Sequence, residues 1–370
     1  MREHRDYLAR TAGMTQRQFD VLLPGHNEGG TMKAMVLDRV SAVEGKPLRM
    51  AELPRPVAGR GQVLVRVLTC GICHTELDEI EGRVSPSQFP MILGHEIVGR
   101  VESLGPGVRK LKEGERVGIA WINWACGKCS FCVKGEENLC DTAKWTGKDA
   151  HGGYAQYTVV SENFAYPIPQ RFTDVEAAPL LCAGVIGYRA LRLSGMGDGK
   201  VLGLYGFGAS AHIVIQVAEY EYPDGRVFVF TRPNQKEHQD LARKLGADWI
   251  GATGDTPPEK LDCAIDFTPV GEPVREALRN LQKGGRLVIN AIRKTTPIPE
   301  LDYAEHLWHE KEVKSVANVT RRDAQEFLPL AAEIPVVPET QEFRLEEANE
   351  ALILLKEGKI RGAGVLKVAE

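Results

Sequence analysis

From Met32 the chain runs through short stretches in which apolar and polar residues alternate, among them MKAMVLDRV, GQVLVRVLT, EIVGRVESLG, GERVGIAWI and GYAQYTVV, each bounded by Gly or Pro. A period of two over such lengths predicts half-buried strands, and little helical period intervenes, so residues 32–184 read as a β-rich domain. The texture changes over 185–320. There VLGLYG, ASAHIVIQVAEY, RVFVFT, NQKEHQDLARKLGA, LDCAIDFT, VREALRNLQKG and GRLVINA alternate strand with helix. That alternation predicts a parallel sheet wrapped by helices, and an α/β class for the chain. Over 321–370 two helical stretches, DAQEFLPLAAE and LEEANEALILLKEG, precede a short strand, GAGVLKV. Residues 1–31 have no sustained period and read as an extension outside the fold, dispensable for activity.

Composition narrows the partners. The 370 residues carry 46 Lys+Arg against 50 Asp+Glu, a formal charge of −4, which gives no footprint for nucleic acid or an anionic membrane. The N-terminal stretch MREHRDYLARTAGMTQRQFD lacks an apolar core, and the most apolar run, APLLCAGVIGY, holds Pro179 and two glycines. Neither a signal peptide nor a membrane span is expected, so the protein is expected in the cytoplasm with small-molecule partners. In such a reducing compartment clustered cysteines bind metal or do chemistry more often than they form disulfides.

Four of the eight cysteines fall within fifteen residues: Cys126, Cys129, Cys132 and Cys140, spaced C-x2-C-x2-C-x7-C. Two-residue gaps let a tight turn aim successive sulfurs at one centre, and the longer gap closes the loop around a tetrahedral Zn2+. An iron–sulfur cluster competes on spacing, but such runs usually carry Pro after the last Cys, where this chain has Asp141. Four free thiols are the other alternative. A closed four-thiolate site has no open position for substrate, so its expected role is to pin the loop.

Cys73 in CGICHTEL, His95 and Glu96 in LGHEIVG, and Cys182 in LLCAGVIGY are dispersed along the chain. Two thiolates and one imidazole would give zinc three protein ligands and leave the fourth position open for water or an alcohol oxygen, where the ion acts as a Lewis acid. At these residues the sequence resembles the zinc-dependent medium-chain alcohol dehydrogenase family. The family's Cys-His/Arg-Thr/Ser stretch falls on Cys73, His74 and Thr75, its Gly-His-Glu on Gly94, His95 and Glu96, and its Cys-Ala-Gly-Val on 182–185. The resemblance extends from Met32 to Val368 and takes in the four-cysteine lobe.

The resemblance implies a GroES-like β-rich catalytic domain over 32–184, a doubly wound Rossmann cofactor domain over 185–320, and a C-terminal return to the catalytic domain over 321–370. It implies two zinc ions per chain: a catalytic one on Cys73, His95 and Cys182 with Glu96 close behind, and a structural one on Cys126, Cys129, Cys132 and Cys140. Thr75 would open a proton relay through the cofactor ribose. Many members carry His where this chain has Asp78, expected here as an ordinary surface carboxylate able to take the proton weakly. Glu76 stands where the family has Asp hydrogen-bonded to the ligand His. His74 and Arg361 are expected near the cofactor pyrophosphate, and Cys70 and Cys263 are expected as buried structural thiols. A homodimer or homotetramer is implied as well.

GLYGFGASAH follows an apolar strand and opens a helix, so Gly206, Gly208 and Ala211 form a G-x-G-x-x-A dinucleotide fingerprint in its proper setting. NAD-specific sheets end their second strand on an acidic residue that binds the ribose 2′-OH. This chain has Thr231 and Arg232 there. Arg232 offers a 2′-phosphate a charge-assisted partner, which favours NADP(H), with NAD(H) bound through Thr231 as the alternative. On the substrate side Trp121 matches an aromatic family position, Val84 is a further wall residue, Ile186 replaces a common Thr near the nicotinamide, and Trp124 is expected to pack. An apolar pocket of this kind suits primary or small secondary alcohols. Polyol or formaldehyde dehydrogenation and aldehyde reduction are related alternatives; a non-catalytic zinc-binding regulator is the alternative of another class.

Overall fold

Val63, Val65 and Val67 are fully buried on the strand Gln62–Ile72. It lies inside a sheet, antiparallel to Ile97–Leu104, Tyr157–Ser161 and Ala363–Lys367. The computed structural model describes residues 30–334, 336–360 and 362–369. The extension expected over 1–31 lies outside the described residues apart from its last two, and Thr31 already opens the first strand, Thr31–Leu37. Among the described residues, no helix is long and apolar enough to cross a membrane.

The chain divides into two units. One comprises residues up to Cys182, with Thr320–Gln325 and everything from Val337; the other comprises Ala183–Val319 and Glu326–Val336. In the first, the sheet order is Ala165–Pro167, Arg116–Ile119, Ile97–Leu104, Gln62–Ile72, Ala363–Lys367, Thr340–Arg344, with Tyr157–Ser161 also on Gln62–Ile72. A smaller sheet pairs Thr31–Leu37 with Leu48–Pro54 and Met91–Ile92. Two short helices interrupt this unit at positions that matter below, His74–Ile80 and Asp174–Pro179, the latter opened by a Thr173/Glu176 capping box. The backbone then widens into a π-helical turn over Leu180–Gly184, a form that occurs disproportionately at functional sites, and this turn carries Cys182.

The second unit is a wholly parallel six-stranded sheet in the order Trp249–Ala252, Arg226–Thr231, Val201–Tyr205, Leu261–Asp266, Leu281–Ile289, Glu312–Ser315. This is the doubly wound order, with its reversal between Val201–Tyr205 and Leu261–Asp266. Both of those strands are almost fully buried, as helix-covered parallel strands must be, and Tyr205 stacks on Phe230 with ring centroids 4.1 Å apart. The last fifty residues return only in part to the first unit. Glu326–Val336 counts with the second, where Phe327 meets Tyr188 at 5.7 Å between ring centroids.

Candidate active site

The helix His74–Ile80 starts at Cys73, whose extended backbone makes it the N-cap. Glu76 at the third helical position reaches back, and its Oε2 accepts the Cys73 N–H at 2.8 Å. Its other oxygen, Oε1, lies 2.5 Å from His95 Nδ1. One carboxylate therefore fixes both a helix start and an imidazole, which is why Glu serves here in place of Asp: only the longer side chain closes a capping box at that spacing. With Nδ1 held, His95 Nε2 is buried and, among the described residues, has no hydrogen-bond partner within reach. It faces Cys73, Cys182 and Glu96, and one ligand atom from each of these four residues lies within 4.8 Å of the others. Two thiols, an imidazole and a carboxylate around an orphaned ring nitrogen form the donor set that zinc takes with nitrogen, sulfur and oxygen ligands.

The two sulfurs, Cys73 Sγ and Cys182 Sγ, are 3.9 Å apart. The hydrogen bond from Cys182, and then His95, hold the Cys73 thiol well below its ordinary pKa, while Cys182 is pushed up by sharing its proton and by burial. Burial opposes charge on His95, yet Glu76 and the Cys73 sulfur outweigh it and hold its pKa well above the ordinary value. A metal must displace those protons, so uptake weakens in acid. Glu96, only 4% exposed, is pressed against the backbone of Gly71: a Cβ there would stand 2.0 Å from Glu96 Oε2 and 2.8 Å from its Cβ.

Thr75 Oγ1 lies 3.7 Å from Cys73 Sγ, next to the ligand set. Asp78 departs from expectation: it is fully buried rather than on the surface, and Arg83 Nε donates to its Oδ1 at 2.5 Å. The reason is that every residue from Thr75 to Ile80 is buried by the helix's packing. Glu79, which the sequence reading passed over, is fully buried and, among the described residues, has no hydrogen-bond partner on either carboxylate oxygen. It sits three residues after Glu76 and four after Thr75, hence on their helix face, and that spacing was the available signal. Burial, then the Glu76 charge, push its pKa well above the usual carboxylate range.

Trp121 stands beside the site with its ring centroid 6.1 Å from that of His95, and Trp145, not anticipated, lies 5.0 Å from Trp121. Val84 is half-buried just past the helix. Trp124 is 39% exposed, on the strand where the register shifts between Ile122 and Trp124, whereas Ile122 is fully buried. Cys70 and Cys263 are buried.

Cys126, Cys129, Cys132 and Cys140 also bring their sulfurs within 4.8 Å of one another. The Cys126 and Cys129 sulfurs accept backbone N–H groups from Cys129 and Cys132 at 3.3 and 3.5 Å, and the short helix Ser130–Val133 carries the third thiol inward. Hydrogen bonds from Thr142, then the Cys126 backbone, draw the Cys140 thiol down to about 6, whereas burial pushes Cys132 up to about 12. Glu137, 2% exposed, ties the lobe to Arg321 by accepting from its backbone N–H at 2.9 Å and its Nε at 2.8 Å.

In the second unit Gly206 turns with φ +84° at the end of its strand. Gly208 caps the helix Ala209–Glu221 and is exposed, with open space where a Cβ would stand; Ala211 is fully buried beneath. Exposed backbone of this kind at a helix N-terminus can receive a phosphate. Arg232 is exposed, and its guanidinium makes no ion pair among the described residues. Thr231 is turned inward, its hydroxyl accepting from Gln239 Nε2 at 3.0 Å. Ile186 is half-buried in the first turn of Val185–Ser194, and His74 is exposed at the start of its helix. Arg361 lies outside the described residues.

Comparison with known proteins agrees with this geometry. Residues 59–170 match the alcohol dehydrogenase GroES-like domain. Over 343 residues the chain is 41% identical to the Probable alcohol dehydrogenase AdhA of Mycobacterium tuberculosis, covering 91% of this chain and 98% of that one. It is 34% identical over 357 residues to the NAD-dependent alcohol dehydrogenase of Sulfolobus acidocaldarius, covering 91% of this chain and 100% of that one. The crystal structure of CAD from Helicobacter pylori complexed with NADP(H) superposes with a TM-score of 0.79 at 25% identity, covering 91% and 98% of the two chains. The chain belongs to the zinc-dependent medium-chain alcohol dehydrogenase family.

Two outcomes follow from the packing. Gly71→Ala forces a methyl group into the buried Glu96 carboxylate, and an overpacked core site of this kind loses about 1–3 kcal/mol; a lowered Tm with reduced zinc content checks it. Glu79 has its pKa raised on folding, so its contribution to stability is full below the unfolded carboxylate range and is lost as pH rises above it. Glu79→Gln removes that loss. Its Tm is expected to match the parent near pH 4 and to exceed it by a few degrees near pH 8, and an unchanged gap across that range contradicts the assignment.

Proposed function

We propose that the chain oxidises primary and small secondary aliphatic alcohols, and reduces the matching aldehydes and ketones, with NADP(H) as the preferred dinucleotide and two zinc ions per chain. The observation that carries this reading is His95 Nε2, buried and unpartnered among the Cys73, Cys182 and Glu96 ligand atoms. When bound there, zinc supplies a Lewis acid for the alcohol oxygen, and the nicotinamide accepts the hydride.

The residues of the chain do the rest. Glu76 holds the His95 ring in the tautomer that presents Nε2. The hydroxyl of Thr75, beside Cys73, takes the alcohol proton and passes it on. Asp78 is a restrained second carrier, since accepting a proton means giving up its ion pair with Arg83. Trp121 and Trp145 supply an aromatic wall and Val84 an aliphatic one, which supports small apolar alcohols over polyols. The closed lobe around Cys126 to Cys140 is structural, because all its positions are taken by thiols.

Arg232 supports NADP(H): it is exposed just past the strand Arg226–Thr231 and pairs with no acidic residue among the described residues. The named relatives divide on this point, one being NAD-dependent and another solved with NADP(H). His74, Gly206, Gly208, Ala211 and Arg361 are proposed to complete the cofactor contacts. A homodimer or homotetramer is supported by the edge strand Glu312–Ser315, whose four residues are all exposed. Eight free cysteines support a reducing, cytoplasmic setting.

The test is a panel of alcohols and aldehydes followed by nicotinamide absorbance in both dinucleotides, together with elemental analysis. Turnover with two zinc ions per chain is expected, abolished in Cys182→Ser while circular dichroism stays unchanged. Turnover that survives in a folded Cys182→Ser variant sinks the reading. Arg232→Glu is expected to move the NADP/NAD ratio of kcat/KM toward NAD by about tenfold or more, the worth of a charge-assisted contact; a ratio that stays put removes Arg232 from the cofactor site.

A further inference from the structure

The strand order of the cofactor sheet reverses between Val201–Tyr205 and Leu261–Asp266, and a dinucleotide lies across the carboxyl ends of the strands at such a reversal, one mononucleotide half on each side. Arg232 leaves the sheet on the adenosine side. On the other side, at the end of its strand, stands Asp266, fully buried and in register with Tyr205. Its Oδ1 accepts the Thr268 N–H at 2.8 Å and the Thr268 hydroxyl at 2.7 Å. Its Oδ2 accepts from Lys294 Nζ, which also donates to the Thr268 carbonyl at 2.6 Å.

This arrangement abuts the phosphate turn. A Cβ added at Gly206 would stand 3.0 Å from Thr268 Cγ2, and Phe267 N–H donates to the Tyr205 carbonyl at 2.9 Å. The segment carrying Lys294 is tied to the same loop by Asn290 N–H to the Asp266 carbonyl at 2.8 Å and Thr295 N–H to the Pro269 carbonyl at 2.6 Å. The ammonium is thus immobilised beside that turn. An ammonium has three N–H donors, and two are used. The side chain is 16% exposed, so the third has an outlet although its carboxylate partner has none.

We propose that Lys294 is a contact for the nicotinamide mononucleotide half of the cofactor, donating its third N–H to a phosphate or ribose oxygen on that side of the reversal. The proposal rests on the dinucleotide-binding reading above. Lys294 and Arg232 then divide the work: Lys294 serves NAD(H) and NADP(H) alike, and Arg232 distinguishes them.

Calorimetric titration of the zinc-loaded full chain tests this, with AMP as a probe of the adenosine half and NADPH as a probe of the whole. In Lys294→Met the Kd for AMP is expected to stay within about twofold of the parent, while that for NADPH rises on the order of tenfold, the worth of a hydrogen bond to a charged group. Lys294→Arg is expected to recover part of the loss. Equal weakening of both probes would make the lysine a structural brace and overturn the proposal, as would NADPH binding that does not change. Removing Lys294 alone strands a buried carboxylate. The Asp266→Asn/Lys294→Met variant therefore carries the same comparison with a neutral interior if the single variant does not fold. A parent protein that binds neither probe refutes the dinucleotide reading itself, whereas a parent that binds both with an indifferent Lys294→Met variant refutes only the role of Lys294.

Discussion

The carboxylate of Glu76 accepts from the Cys73 backbone with one oxygen and meets His95 Nδ1 with the other. A helix start, a thiol and an imidazole from two distant segments are thereby set by one buried group. Removing it would free the ring of His95 to rotate and would leave the first turn of His74–Ile80 without its cap. Glu96 is placed by a different means, contact with the bare backbone of Gly71, so its position depends on shape where that of His95 depends on hydrogen bonding. Cys182 arrives on the widened turn Leu180–Gly184.

Charge is concentrated around that carboxylate. Glu76, Glu79 and Glu96 are all nearly or wholly buried near the Cys73 sulfur, and in a low-dielectric interior so many negative groups are tolerated only by pairing or protonation. Glu76 meets the first condition through His95. Burial pushes the pKa values of Glu79 and Glu96 up, so charge on either carboxylate is opposed. A divalent cation among these groups relieves repulsion that the side chains alone cannot, which gives the site an affinity for metal that ligand counting understates.

Much of this was legible in the chain because it rests on local pattern. The four-cysteine spacing, the glycine fingerprint and the change from alternating strands to strand–helix units each lie in neighbouring residues, where spacing maps onto geometry, whereas the dispersed set Cys73, His95 and Cys182 was legible through the family resemblance. What escaped depends on contacts distant in sequence. Asp78 looked like a surface residue because its burial is decided by what covers the helix, and the register shift that leaves Trp124 partly exposed is invisible in the residues themselves. Lys294 and Asp266, 28 residues apart, carry no motif and meet only because two loops of the parallel sheet run side by side. The division of the last fifty residues was hidden for the same reason: Phe327 is one apolar helix residue among several until Tyr188 is seen against it.

The four-sulfur lobe also bears on how the chain meets oxidants. Without its ion it is a set of thiols, one of them with a pKa of about 6 and so a thiolate at neutral pH, and the Cys126 and Cys132 sulfurs lie 3.8 Å apart. Thiolates of that kind react with peroxide and condense with a neighbouring thiol to a disulfide. Once two of the four are joined, zinc cannot be held by the full set, and the loop from 126 to 140 loses its anchor. An ion held by all four thiols, as proposed above, would keep them from pairing in this way while offering no open position to a substrate.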